Sequence, residues 1–175
     1  SFDELRPGLL SGEIDVFIGT VHEGETEPTL KRQVLFADED RVVARADHPL
    51  VRKRRVKLAD LNKYPWIVSV GMMPFRQALL DQFQTEDLDP PPVAVESSSL
   101  EVTRSLLLKT DYLALLPQTA VSLHEKAGLI AALDFSAPNW ARSVSLCTRR
   151  RGAFAQDTRL RLEEIKKSFP PPART

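Results

Sequence analysis

Short apolar runs alternate along this chain with segments whose apolar residues recur at helical spacing, and that alternation restricts it to an α/β protein. Ile14-Asp15-Val16-Phe17-Ile18-Gly19 reads as a buried strand behind a short helix from Asp3 to Leu10 that Gly12 closes. Val34 to Ala46 supply one long strand or two, and Trp66 to Val70 supply another after Pro65. From Pro74 the period changes. Phe75, Leu79, Leu80 and Phe83 fall on one helical face, and Pro74 suits the first turn.

Asp89-Pro90-Pro91-Pro92 then forces extended chain into Val93-Ala94-Val95. A helix carrying Val102, Leu106 and Leu107 follows Ser97-Ser98-Ser99, with Glu101 set for a capping box if Ser98 is the cap. Asp111 to Leu116 form a strand ended by Pro117. Gln118 to Lys126 form a helix stopped at Gly128, and Leu129 to Leu133 return to extended chain. Arg142 to Thr148 alternate Val144, Leu146 and Thr148 with Ser143, Ser145 and Cys147, which predicts a half-buried strand. A last helix carries Ala155, Leu162, Ile165 and Phe169. The order predicts a parallel sheet with crossover helices. Such a sheet rarely opens on a helix feeding a strand, so an earlier strand is expected to be missing.

Composition narrows the function. Twenty-four Lys and Arg balance 24 Asp and Glu in 175 residues, whereas a free-standing nucleic-acid binder carries a basic excess. The densest basic run, Arg52 to Lys57, has no interleaved aromatics and reads as a solvated loop. The single cysteine, Cys147, excludes an internal disulfide and a cysteine-based zinc site, and reads as a small core hydrophobe. No run approaches the roughly 20 apolar residues of a membrane helix and no signal peptide is visible, so a cytoplasmic protein is expected.

No hydrolase elbow, phosphate loop, dinucleotide fingerprint or zinc helix is present, and neither cofactor nor metal is expected. His22, His48 and His124 read as surface or loop residues. What recurs is a strand ending in small polar residues before a helix or turn: Gly19-Thr20, then Ser69-Val70-Gly71-Met72, then Ser97-Ser98-Ser99. Such ends line a ligand crevice in an open parallel sheet, where helix N-termini hold anions. The plainer role of each serine is to cap its own helix. Thr20, Ser69, Gly71, Met72, Arg76, Ser97 and Ser98 are the candidate ligand-binding residues, with Arg76 placed to pair with a carboxylate or phosphate. No catalytic set is assigned.

Leu9 to Gly19 resembles the "L..G.lDlaIg" segment of LysR-type transcriptional regulators, and Val42 to Leu50 their "vva..dHPLa" strand and turn. Leu58-Ala59-Asp60-Leu61 with Tyr64-Pro65-Trp66-Ile67, Ser98-Ser99-Leu100-Glu101, and Leu113 to Pro117 resemble three further segments in the right order. The resemblance implies an effector-binding domain of type II periplasmic-binding-protein-like fold: two α/β lobes joined by crossing strands near Leu35 to Arg41 and Arg142 to Arg149. Residues 1–37 with 148–175 would form the first lobe, incomplete at its start, and 38–147 the second. It further implies a small polar or anionic effector between the lobes, and a homodimer or tetramer that uses the Phe75–Phe83 helix. DNA would be contacted only through an absent helix-turn-helix. Trp66 to Phe83 with Val95 to Ser99 is most similar to the galactose-binding-protein-regulator branch, which suggests a sugar or sugar acid. A transporter's solute-binding protein and an enzyme of the same two-lobed fold are the alternatives.

Overall fold

The computed structural model describes residues 2–21, 27–69, 73–135, 141–150 and 156–168. The chain divides into two compact units, Ser1–Asp38 with Ala141–Thr175, and Glu39–Trp140.

In the first unit, α1 (Phe2–Ser11) leads into β1 (Val16–Thr20). Gly12 ends α1 at φ +92, a left-handed conformation that costs glycine little, and the N–H groups of Gly12 and Ile14 both reach the Gly8 carbonyl. β1 pairs antiparallel with β7 (Ala141–Arg149), Val16 opposite Thr148 and Thr20 opposite Val144. β7 has β2 (Leu30–Arg45) as its other neighbour. Phe2, Leu9, Phe17 and Cys147 pack on one face, and Leu35, Leu146 and Leu162 of α6 (Gln156–Ser168) form a second cluster. The half-buried reading of β7 is therefore corrected. Ser145, Leu146, Cys147 and Thr148 are all buried, because a strand with a neighbour on each side and cover on each face has no wet side. Ser145 is tolerated there because its hydroxyl accepts from Arg32 Nε at 2.9 Å.

The second unit is built on the strand order β6–β2–β5–β3–β4. A 3-10 turn (Pro49–Arg52), α2 (Leu58–Leu61), β3 (Trp66–Val68), α3 (Met73–Thr85) and β4 (Val93–Glu96) lead to α4 (Leu100–Leu107). β5 (Leu113–Pro117), α5 (Gln118–Lys126) and β6 (Ile130–Ala132) complete it. β3 is parallel to both β4 and β5, while β2 is antiparallel to β5 and β6. The sheet is mixed; the expected parallel pairing holds only for β4, β3 and β5.

Alternation divides its core between two faces. Val42, Trp66, Leu113 and Leu133 pack with Leu58, Leu61, Leu79 and Phe83 of α2 and α3. Val43, Ile67, Ala114 and Leu116 pack with Leu107 and Val121 of α4 and α5. One irregularity matters below. Trp66 pairs with Val93 but Ile67 with Val95, so Ala94 is an extra residue in a β-bulge, and Val93 and Val95 serve opposite faces.

Candidate functional site

The register of the second unit brings the C-terminal ends of β4, β3 and β5 side by side. Trp66 lies opposite both Val93 and Leu113, and all three strands run the same way. Ser69 follows β3 directly and Ser97 follows β4. The Ser97 N–H donates to the Val68 carbonyl at 3.0 Å, which fixes these two strand ends together.

Beyond Ser97 the chain turns into α4, and three consecutive serines take three roles. Ser97 Oγ accepts from the Ser99 N–H at 3.1 Å, holding the turn. Ser99 Oγ accepts from the Val102 N–H at 3.4 Å and is the N-cap. Ser98 is exposed, and its hydroxyl makes no hydrogen bond to a described residue. The expected capping box is thereby corrected: the cap is one residue later, and Glu101 pairs with Arg104 Nη1 at 2.7 Å instead. The half-buried Ser69 hydroxyl likewise has no described partner. Among the described residues neither hydroxyl has a partner, and Ser98 stands just ahead of α4, whose first-turn N–H groups carry the helix's partial positive charge.

Of the other candidates, Thr20 ends β1 in the first unit. Gly71 and Met72 lie outside the described residues. Arg76 lies within α3, and its side chain is outside them too. Sequence reasoning passed over the end of β5. Gln118 and Thr119 open α5 beside β3's end, and Pro117 caps that helix without a side-chain bond. The apolar run up to Pro117 marked only where the strand stops. Its place next to β3 depends on strand order, which local pattern does not carry.

The histidine expectation also needs correction, at His48. This side chain is fully buried, its Nδ1 accepts from the Leu50 N–H at 3.1 Å, and its ring meets Tyr64 edge-on at 4.5 Å. Its buried Nε2 has no hydrogen-bond partner among the described residues. Burial lowers its pKa below the usual histidine value. Nearby, Arg45 binds both Asp47 and Asp111, and its hydrogen bond holds the Asp47 carboxyl below the ordinary range. His22 lies outside the described residues; His124 is half-buried on α5. The Cys147 thiol, pushed up by burial, sits in the core. Among the described residues no cluster of His, Cys, Asp and Glu is arranged to hold a metal ion. No described helix is long and apolar enough to cross a membrane.

Comparison with known proteins places this geometry. The family model of the LysR substrate binding domain matches residues 1–169. An uncharacterized HTH-type transcriptional regulator, YdcI of Escherichia coli, is 28% identical over 93% of this chain, which spans 53% of that protein. The HTH-type transcriptional regulator GalR of Pseudomonas putida is 32% identical over 85% of this chain and is covered over 37% of its length. The chain thus spans about half or less of these curated relatives. Among solved structures, the CcmR regulatory domain of Synechocystis in complex with 2-PG superposes with a TM-score of 0.76 at 19% identity, covering 97% of this chain and 80% of that one. The fold and the match over nearly the whole sequence agree: this chain belongs to the LysR substrate binding domain family.

Proposed function

We propose that this chain is the effector-sensing part of a LysR-type transcriptional regulator, taking up a small polar or anionic molecule and thereby controlling DNA binding or transcription by a longer protein. The observation that carries this reading is the set of adjacent strand ends, where Ser69 follows β3, Ser98 precedes the N-terminal turn of α4, and neither hydroxyl has a partner among the described residues. Gly71, Met72, Arg76 and Ser97 belong to the same proposed set, and Thr20 is the first unit's candidate. The regulators related by sequence support a cytoplasmic regulator over a solute-binding protein or an enzyme. A sugar or sugar acid is the proposed effector class. DNA contact belongs to the remainder of the longer protein, which works as a homodimer or tetramer.

The test is a thermal-shift screen of sugars, sugar acids and phosphorylated acids, since a saturating ligand raises stability by RT ln(1 + [L]/Kd). A hit is then titrated into Ser69→Ala and Ser98→Ala. Each lost hydrogen bond is expected to weaken binding by about 0.5–1.5 kcal/mol, or about 1.5–3 kcal/mol against a charged group. Unchanged affinity in both variants refutes the site.

A further inference from the structure

The basic run of the second unit is a built turn and not a loose loop. Leu50 and Val56, both 6% exposed, anchor its two ends in one core cluster. Between them Arg52, Lys53, Arg54 and Arg55 all face solvent. Arg55 sits at φ +55, a left-handed conformation that residues other than glycine seldom adopt. Asp134 holds it there: its carboxylate accepts the Arg55 N–H at 2.9 Å and its carbonyl accepts the Val56 N–H at 3.0 Å. A conformation of this kind persists only where its surroundings impose it, and it recurs at functional sites. Behind the turn one carboxylate gathers the lysines. Asp60, its side chain 12% exposed, takes Lys53 Nζ at 2.7 Å and the Lys57 N–H at 2.9 Å, with Lys63 Nζ at 3.9 Å. The arginines have no such partner. Among the described residues the Arg54 and Arg55 side chains make no hydrogen bond or ion pair, and Arg52 lies only within the field of Asp47.

We propose that this turn is a docking surface for an acidic segment of a partner protein. Arg54 and Arg55 offer planar donor forks that match carboxylates, and charge-assisted pairs of that kind need no pocket. Anchoring at both ends lowers the cost of ordering the turn on binding. A nucleic acid is the poorer match. The turn spans only Arg52 to Arg55, the chain has no basic excess, and the exposed carboxylates of Asp47 and Asp134 stand beside the arginines, where they would face an array of phosphates. A peptide can set its acidic side chains between those two carboxylates. The surface is independent of the effector site. It follows the end of β2 that lies at the start of β5, whereas the serine-bearing strand ends are at the opposite end of the sheet.

The probe is a short fluorescein-labelled peptide of alternating glutamate and alanine, titrated with the whole chain and followed by fluorescence anisotropy. A Kd below about 100 μM is expected at about 50 mM salt, weakened at least about fivefold at about 300 mM as screening shortens the reach of the charges. Arg54→Ala and Arg55→Gly together are expected to weaken it at least about tenfold, with the urea midpoint not lowered, since Arg54 has no partner to lose and glycine suits the left-handed φ at 55. If the pair does not fold, Arg54→Ala alone decides, with at least about a threefold loss expected. Arg161→Ala with Lys167→Ala removes two exposed cations from α6 and is expected to leave the Kd within about twofold. Absence of saturable binding up to about 1 mM peptide overturns the proposal. An equal loss in the α6 variant also overturns it, because attraction is then to charge in general. A DNA duplex that binds more tightly than the peptide, with the same dependence on Arg54 and Arg55, overturns it in favour of phosphate.

Discussion

Arg149 Nη2 lies 2.6 Å from Asp15 Oδ1, joining the end of β7 to a residue 134 positions earlier, just ahead of β1. The other terminal nitrogen, Nη1, donates to the Leu9 carbonyl at 2.8 Å and the Ile14 carbonyl at 2.7 Å. One side chain therefore fixes the whole turn between α1 and β1, and the planar fork of arginine is what lets it hold three acceptors. Arg149→Met is expected to cost about 2–3 kcal/mol, through the loss of charge-assisted bonds and the stranding of two carbonyls. Asp15→Ala, with a carboxylate 43% exposed, is expected to cost under about 1 kcal/mol. Urea unfolding of both variants checks the order; equal losses would show that the ion pair, and not the carbonyl bonds, carries the effect.

Gly12 belongs to the same turn. A Cβ there would meet the Arg149 guanidinium at 3.7 Å, which is ordinary contact, so the obstacle is its φ of +92 alone. Gly12→Ala is expected to destabilise by about 1–2 kcal/mol, measured by the shift in denaturation midpoint at unchanged m-value.

His48 makes stability depend on pH in a defined direction. Its folded pKa lies below the unfolded value of about 6.5. The unfolded chain therefore takes up this proton first as pH falls. The contribution is fully present above the unfolded pKa and declines as pH drops through that value toward the folded one. Burial, helped by the Arg45 charge, lowers it and outweighs the upward pull of the Asp111 backbone and carboxylate and of Asp47. The unfolding free energy is expected to fall between pH 7.5 and pH 5.5, with a shallower slope in His48→Asn, which keeps an acceptor for the Leu50 N–H. Identical slopes in the two proteins would remove His48 from the account.

Ser99 and Ser98 separate stability from binding. Ser99→Ala is expected to lower stability by about 1 kcal/mol through the lost cap, and Ser98→Ala to leave it within about 0.5 kcal/mol. Thermal unfolding of the ligand-free variants distinguishes the two serines.

What the sequence made legible was periodic. Ile14 to Gly19, Leu113 to Leu116 and Phe75 to Phe83 each have a pattern that belongs to one element, and those elements formed. What it hid depends on neighbours far along the chain. Ser145 reads as a wet residue until β1 and β2 flank β7 and Arg32 reaches its hydroxyl. His48 sits in a polar-looking turn, and its burial, with Tyr64 packed on its ring from elsewhere in the chain, is set by tertiary neighbours. The cap shifted from Ser98 to Ser99 because Ser97 was used to brace the turn. At the candidate site, Ser69 and Ser97 were visible as strand ends, but the β5–α5 junction needed the strand order to be seen beside them.

The bulge in β4 has a consequence for the chain in crowded solution. β4 is the last strand of its sheet, and a straight, apolar last strand is a template on which another molecule can add its own. Here three prolines, Pro90 to Pro92, precede it with no N–H to offer, and the extra residue Ala94 breaks the spacing of the groups that remain. The irregularity thus blunts the outer rim of the sheet, leaving a poorer template there for a strand from another molecule.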